Sequence, residues 1–103
     1  MKIAFFITRN PTNELIGCLL STISNDVHET TAIHFAEDSV YHLIKGTKYG
    51  EIIRRFVEAG IKVTVCECSV KNRNIEGLLI EGVKVGHIDD FLDACDGANI
   101  ISL

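Results

Sequence analysis

Apolar residues along the chain follow two different spacings, and each change of spacing marks the boundary of a predicted element. Short, nearly continuous apolar runs are typical of strands that are buried on both faces of a sheet. Apolar residues three and four positions apart are typical of helices with one buried face. The runs predict strands at 2–8, 30–36, 61–66, 83–86 and 98–103, and the helical spacings predict helices at 12–23, 39–45, 48–59, around 75–79 and at 88–95.

The order of these elements predicts the fold class. Strands that alternate with helices form a mostly parallel sheet, because each connection between parallel strands has to cross one face of the sheet. We therefore predict an α/β fold, a three-layer α/β/α sandwich with a mostly parallel five-stranded sheet. The chain has 103 residues with no linker and no internal repeat, so residues 1–103 are predicted to form a single domain.

Composition and charge exclude several classes of function. The chain is 47% hydrophobic and carries a formal net charge of −4, with its lysines and arginines scattered, so we expect no direct nucleic-acid partner. The N-terminal run MKIAFFIT is too short for a signal peptide and has no cleavage site. No segment reaches the roughly 20 apolar residues of a membrane span. We expect a cytoplasmic protein with no membrane partner and with reduced cysteines.

Reactive groups of an open parallel sheet gather beyond the carboxyl ends of its strands. No glycine-rich phosphate loop, neither G-x-G-x-x-G nor G-x-x-x-x-G-K-[ST], follows a predicted strand. Thr8 and Cys66 stand at the ends of the first and third strands, where a receiver-type phosphoacceptor would carry acidic residues. Dinucleotide binding and phosphotransfer of these kinds are therefore disfavoured.

Cys66 is the candidate catalytic residue. It ends the third strand just before a predicted helix, whose free amide groups stabilise an anion, and Lys71 or Arg73 would do the same. Both effects lower the pKa of a thiol, and the thiolate is the nucleophilic form, which can accept a sulfane sulfur to become a persulfide. The alternative is that Cys66 is a small apolar strand residue, because free cysteine is among the most buried residue types.

The other cysteines point to packing more than to chemistry. Cys18 lies on or beside the apolar stripe of the first helix and Cys95 on that of the last, so both are predicted to pack. The four cysteines include no C-x2-C pair, which disfavours a structural zinc site. Cys68 and Arg73 have the C-x4-R spacing of a rhodanese-like loop, although residues 69–72 contain no glycine.

His87 opens the last helix at the carboxyl end of a strand. It is interpreted as a capping or solvent-facing residue, with a proton-transfer role beside Cys66 as the alternative. Asp89 and Asp90 complement the positive end of the same helix.

Three stretches resemble the DsrE/DsrF-like (TusD-like) sulfur-relay family. They are HFAEDSVY at 34–41, VTVCECSVKNRNI at 63–75, and LIEGVKV at 79–85 leading to CDGANIISL at 95–103. The resemblance spans essentially the whole chain, and the segment around Cys66 is its most specific part. In that segment Cys66 falls on the sulfur-accepting cysteine of the family, whereas Cys68 matches no general family position.

The resemblance implies a small cytoplasmic protein that accepts sulfane sulfur as a Cys66 persulfide and passes it on by direct transpersulfidation. Its partners would be sulfur donor and acceptor proteins, it would need no metal or organic cofactor, and it would assemble as a homo-oligomer, a trimer or hexamer. The apolar stretches at 39–45 and 77–83 are predicted to supply an interface. Two alternatives stay open, namely a non-catalytic DsrE-fold assembly or regulatory subunit, and a rhodanese-like sulfurtransferase that uses Cys68 and Arg73.

Overall fold

The computed structural model describes residues 1–25 and 27–103. Their regular elements follow the predicted order of strands and helices, with one additional helix, Glu67–Asn72, between the third strand and the helical stretch predicted around 75–79. The strands are β1 (Lys2–Ile7), β2 (Glu29–Phe35), β3 (Lys62–Cys66), β4 (Lys84–Gly86) and β5 (Asn99–Ser102). The helices are α1 (Asn13–Ile23), α2 (Lys48–Glu58), α3 (Glu67–Asn72) and α4 (Ile88–Ala94), with 3₁₀ helices at Glu37–Leu43 and Glu76–Leu78.

All five strands run parallel, in the order β4–β3–β2–β1–β5. The chain moves in one direction across the sheet from β1 to β4 and then returns past β1 to form β5. Parallel connections are right-handed, so the return crosses the face opposite to the earlier crossovers. The connection that returns is α4, which therefore covers the second face. The predicted α/β sandwich is confirmed.

The first face of the sheet carries the larger core. Alternate side chains of β1, β2 and β3 point to this face and pack against α1, α2, α3 and the first 3₁₀ helix. Burial of these aliphatic and aromatic side chains is the main stabilising contribution, at about 25 cal/mol per Å² of apolar surface. The fully buried members of this core are Ile7, Leu19, Ile33, Phe35, Val40, Leu43, Ile53, Val65 and Val70.

The second face carries a small core under one short helix. Phe91 of α4 and Cys95, the C-cap residue of that helix, pack on Ala4 and Ala32 of the sheet. A buried histidine, His34, belongs to this layer. Its ring stacks on Phe6 at 5.2 Å and lies 5.3 Å from Phe91, and its Nδ1 is hydrogen-bonded to Thr64 Oγ1 at 2.7 Å.

The structure corrects the predicted burial of three apolar residues. Leu78 was expected to point inward and is 51% exposed, and Ile88 and Leu92, expected in the core stripe of α4, are 43% and 51% exposed. The reason for the α4 residues is geometric. Helix α4 contacts β2 and β3, so its Phe91 side is buried. Asp90, Asp93 and Ala94 line a pocket with residues of β3 and β4, so the opposite flank, with Ile88 and Leu92, faces away from those strands.

The predicted helix at 39–45 is a 3₁₀ helix that begins and ends earlier, at Glu37 and Leu43. Ile44 leaves it with extended backbone and forms an antiparallel bridge to Leu79. Gly50, in the first turn of α2, lies directly against this segment. An added Cβ at Gly50 would stand 2.1 Å from the Ile44 carbonyl oxygen, so only glycine permits this approach.

None of the described helices combines the length and the apolar composition that a bilayer crossing requires.

We predict that His34 makes the fold sensitive to mild acid. Burial lowers the pKa of His34 to about 4, so the unfolded chain binds this proton more readily than the folded chain. Neutral His34 makes its full contribution to the free energy of unfolding above about pH 6.5. This contribution falls by about 1.4 kcal/mol per pH unit as the pH decreases below that value. Burial also lowers the pKa of His42, which adds to the slope. The measurement is urea unfolding at several values between about pH 6.5 and pH 5.

In this range His34→Gln should reduce the pH slope of the free energy of unfolding by the contribution of one titrating group, about 1.4 kcal/mol per pH unit. Phe91→Leu is the matched control, because it loosens the same layer without removing a titrating group, and it should lower stability at every pH with the wild-type slope. A wild-type slope in His34→Gln would contradict the prediction.

Candidate functional site

Cys66 lies at the carboxyl edge of the sheet, where β3 ends and α3 begins without an intervening turn. Its backbone is extended (φ −67°, ψ 120°), and it is the N-cap residue of α3. Strand β2 pairs with β3 up to Phe35 and Val65, so both strands end at the same level. The segment after β2 therefore runs beside Cys66, which is half-buried and not sealed in the core.

A hydrogen bond joins the two strand ends. The backbone N–H of Glu37 donates to Ser69 Oγ at 2.9 Å. Glu37 has a φ of 55°, in the left-handed region that residues other than glycine rarely adopt. This conformation turns the chain from β2 into the 3₁₀ helix and directs the Glu37 amide toward α3. Ser69 is buried and is the third residue of α3, on the same side of the helix mouth as Cys66.

An ion pair fixes the same two segments a second time. Arg73 donates to the Asp38 carboxylate at 2.8 Å and to the Ser69 carbonyl at 3.1 Å, and it lies 3.8 Å from Glu37. The Arg73 side chain is 19% exposed, whereas that of Asp38 is 54% exposed, so the pair lies at the surface of the protein. The acidic residues after β2 are thus neutralised by a cation that follows α3.

The pKa of the Cys66 thiol is lowered, by groups that differ in part from those predicted. Burial raises the pKa of Cys66, but the Ser69 hydroxyl and the backbone amides of Ser69 and Cys68 outweigh it, and the Glu37 carboxylate opposes them. The sulfur makes no capping hydrogen bond of full geometry with α3, so these groups act by proximity. The amide effect was expected from the sequence.

The expected contribution of nearby cations was wrong. Lys71 pairs with Glu67 one helical turn away, and Arg73 pairs with Asp38, so both charges are neutralised by carboxylates. Neither cation contributes to the lowered pKa of Cys66.

The structure does not form a rhodanese-like cradle. Residues 68–72 are helical, so their amides point along the axis of α3 and do not converge on an anion. Cys68 is exposed, and the Arg73 guanidinium is held by Asp38. The two residues of the C-x4-R spacing are therefore not brought to one site.

The remaining cysteines, Cys18 and Cys95, differ in burial. Cys95 is buried in the second core as predicted, and burial raises the pKa of its thiol. The predicted packing of Cys18 is wrong, because it is exposed and lines a shallow pocket with Arg9 and Leu103. Cys18 is three positions after Leu15 and one before Leu19, on the border of the apolar stripe, where helical spacing does not decide burial.

His87 is the exposed N-cap residue of α4, at the end of β4, next to the Cys66 strand. Its backbone N–H donates to the Asp90 carboxylate at 3.0 Å, which agrees with the capping interpretation. Asp90 also pairs with Lys84 at 2.9 Å, and both contacts lower the pKa of Asp90. No hydrogen bond joins His87 to Cys66 in the part of the chain that the structure describes.

Within residues 1–25 and 27–103, no three histidine, cysteine, aspartate or glutamate side chains form a group able to hold a metal ion. The site therefore consists of one thiol, one hydroxyl, two amides and a carboxylate. The sequence identified Cys66 but not Ser69 or Glu37. The only sequence signal for Ser69 was its position three residues after the strand-end cysteine, as in the N-terminal box of a helix.

We predict that Cys66 is alkylated faster than the other thiols near neutral pH, because its pKa is lowered and the residue is partly exposed. The measurement is iodoacetamide labelling followed by mass spectrometry. Cys66 and Cys68 share the tryptic peptide 63–71, so Cys66→Ser and Cys68→Ser variants assign the label. Cys95 should react only on unfolding, since it is buried. Equal rates for Cys66 and Cys95 in the native protein would contradict this prediction.

Comparisons with known proteins agree with this architecture. A family model described as the DsrE/DsrF-like family matches residues 1–102. The crystal structure of the ychN protein from E. coli superposes with a TM-score of 0.80 at 15% identity, covering 100% of this chain and 99% of that chain. MTH1491 from Methanobacterium thermoautotrophicum, described as a protein of unknown function, gives 0.76 at 15% identity over 99% and 98% of the two chains. No curated protein sequence gives a significant match. The chain belongs to the DsrE/DsrF-like family, which is generally linked with sulfur relay.

Proposed function

We propose that residues 1–103 form one DsrE-like domain that works in the cytoplasm as a sulfur carrier, accepting and passing on sulfane sulfur as a persulfide of Cys66. The observation that carries the proposal is the position of Cys66, partly exposed at the junction of β3 and α3, where the pKa of its thiol is lowered. Membership of the DsrE/DsrF-like family supports the same chemistry. The partners would be one protein that donates the sulfur and one that accepts it.

The proposed transfer consists of two displacements at sulfur. In the first, the Cys66 thiolate attacks the outer sulfur of a donor persulfide, R–S–SH. The donor S–S bond breaks, a new S–S bond forms on Cys66, and the donor leaves as a thiolate. In the second, an acceptor thiolate attacks the outer sulfur and Cys66 leaves as a thiolate. Each step exchanges one S–S bond for another, so neither an external oxidant nor a cofactor takes part.

The accessibility of Cys66 suits both steps. Displacement at a disulfide-type bond requires the incoming sulfur to approach along the S–S axis. A thiol at the edge of a sheet, partly exposed and at the start of a helix, would be within reach of a thiol carried by another protein. Cys68 is exposed on the adjacent turn, but the two displacements need only one cysteine of this chain.

We predict that the purified protein gains one sulfur atom on Cys66. Incubation with a cysteine desulfurase and cysteine, followed by intact-mass analysis under non-reducing conditions, should show one added sulfur that dithiothreitol removes. Cys68→Ser, the matched control two residues away, should load as wild type, and Cys66→Ser should not load.

Normal loading of Cys66→Ser would overturn the carrier proposal. Absence of loading together with an ordinary thiol pKa for Cys66 would favour the non-catalytic assembly or regulatory subunit. Turnover of thiosulfate and cyanide that Cys68→Ser abolishes and Cys66→Ser retains would favour the rhodanese-like alternative.

We also propose that the protein is a homo-oligomer. Ile88 and Leu92 on α4, and Ile100 on β5, are all between 43% and 51% exposed. Ile100 pairs with Ala4 of the second core, so it lies on the same face of the sheet as α4. Strand β5 is a sheet edge without lysine, proline or a bulge, features that keep edge strands from pairing. Burial of this surface against a second copy would complete the thin second layer. This surface differs from the predicted stretches at 39–45 and 77–83, in which Tyr41 and Leu78 are also exposed.

Light scattering at micromolar concentration should give a mass that is a multiple of the 11.4 kDa protomer, with a trimer or hexamer expected. Leu92→Glu should shift the mass toward the monomer, because it places a charge in the apolar surface. Leu20→Glu, at a leucine of α1 that is 40% exposed, is the matched control and should leave the mass unchanged. A wild-type monomer would contradict this proposal.

A further inference from the structure

Helix α3, which follows Cys66, is too short to be stable by itself. It has six residues, Glu67–Asn72, and its N-cap residue, Cys66, makes no side-chain cap hydrogen bond. Because helix nucleation is unfavourable, isolated helices of fewer than about 12 residues are barely populated in water. The position of Cys66 therefore depends on the contacts that hold α3 against the rest of the protein.

Arg73 closes the carboxyl end of α3 with both its backbone and its side chain. It is the C-cap residue, and its backbone N–H donates to the Val70 carbonyl at 3.2 Å. The guanidinium donates to the carbonyl of Ser69, one turn back, at 3.1 Å. The last carbonyls of a helix have no partner within the helix, so a side-chain donor at this end stabilises the last turn.

The same guanidinium joins α3 to the segment that follows β2. It donates to the Asp38 carboxylate at 2.8 Å and lies 3.8 Å from that of Glu37, both in the first turn of the 3₁₀ helix. An ion pair within α3, Lys71 with Glu67 at 2.5 Å, links two residues of the helix itself. Arg73, in contrast, ties the helix to another part of the chain.

We propose that Arg73 is a positioning residue for sulfur transfer: its guanidinium clamps α3 to the segment after β2 and thereby fixes Cys66 for reaction with a thiol of another protein. The role in sulfur transfer rests on the carrier function proposed above, whereas the clamp itself does not. A guanidinium presents its donors in a rigid fork and serves the Ser69 carbonyl and the Asp38 carboxylate together. The ammonium of lysine is a compact charge on a flexible stem and does not hold two acceptors in this way.

The clamp affects transfer between proteins more than reaction with a small reagent. Displacement at an S–S bond aligns three sulfur atoms, and a thiol carried by a protein approaches from a restricted set of directions. Movement of α3 takes Cys66 out of this alignment, whereas a small alkylating reagent needs no such alignment. The Asp38 side chain is 54% exposed, so the ion pair contributes little to global stability, and its loss loosens α3 without unfolding the protein.

The first measurement is hydrogen–deuterium exchange of the amides of residues 70–75 in the full chain near neutral pH, which requires no sulfur. Arg73→Ala should increase their exchange by about fivefold, as expected for loss of one ion pair at the surface, with little change in Tm. Arg73→Lys should resemble Arg73→Ala more than wild type. Asp38→Ala should also increase the exchange, and its effect should not add to that of Arg73→Ala.

Arg54→Ala is the matched control. Arg54 pairs with Glu51 at 2.8 Å and with Glu58, all on α2, so this change removes the same charge from ion pairs within one helix. It should leave the exchange of residues 70–75 unchanged. Unchanged exchange in Arg73→Ala, or an equal increase in Arg54→Ala, would overturn the clamp.

The second measurement compares two reactions of Cys66 in Arg73→Ala, in a chain that also carries Cys18→Ser and Cys68→Ser. Delivery of the persulfide sulfur to saturating reduced thioredoxin, a protein acceptor, should be slowed by about tenfold. Iodoacetamide alkylation, measured above the pKa of the thiol, should stay close to the wild-type rate. Wild-type delivery from a protein with a loosened α3 would refute the role in transfer. Faster exchange in Arg73→Ala, in a protein that never acquires sulfur, would remove the carrier function and keep the clamp.

Discussion

The parallel register of β2 and β3 is the constraint on which the candidate site depends. Because Phe35 pairs with Val65, the two strands end at the same level, and the residues that follow them leave the sheet side by side. Glu37 and Ser69 are 32 positions apart in sequence, yet they are joined by one hydrogen bond as a consequence of that alignment. A shift of β3 by one residue would reverse the faces of its side chains and separate both partners. The chemistry at Cys66 is thus set by the sheet and not by α3 alone.

The same sheet explains why the second layer is thin. Only the return from β4 to β5 crosses the second face, and it spans the sheet with the seven residues of α4. A helix of this length is about 10 Å long, so it cannot cover five strands spaced about 4.8 Å apart. Helix α4 lies over β2 and β3 and leaves the β5 side open. The core of that face is accordingly small, with Ala4 and Ala32 of the sheet beneath Phe91 of the helix.

The sequence predicted the elements well and the contacts between them less well. Thr12 accepts the Leu15 amide at the start of α1, and Gly60 follows α2 with a φ of 96°, so local signals placed the helix ends correctly. Leu92 lies on a regular apolar stripe and is nevertheless exposed. Periodicity identifies the apolar flank of a helix, but the packing partner depends on the order of strands.

In the candidate site, too, the sequence predicted the local feature but not the contacts between distant segments. Cys66 was found because a strand end followed by a helix is a local pattern. The hydrogen bond between Ser69 and Glu37 joins residues that lie far apart in sequence, so no local spacing reveals it. The cations close to Cys66 in sequence were misinterpreted for a related reason. Lys71 and Arg73 are near the thiol along the chain, but carboxylates are nearer to each in space.

The pKa of Cys66 depends on which neighbouring groups have another partner for an ion pair or a hydrogen bond. A cation on a long side chain finds a carboxylate on this acidic surface and is neutralised, as Arg73 is by Asp38. Backbone amides at a helix start have no partner within the helix, and the Ser69 hydroxyl is held in place by an amide from another strand end. Such groups cannot turn away from the sulfur when a charged partner approaches. Fixed dipoles are therefore the reliable source of a low thiol pKa on a surface where mobile charges pair with one another.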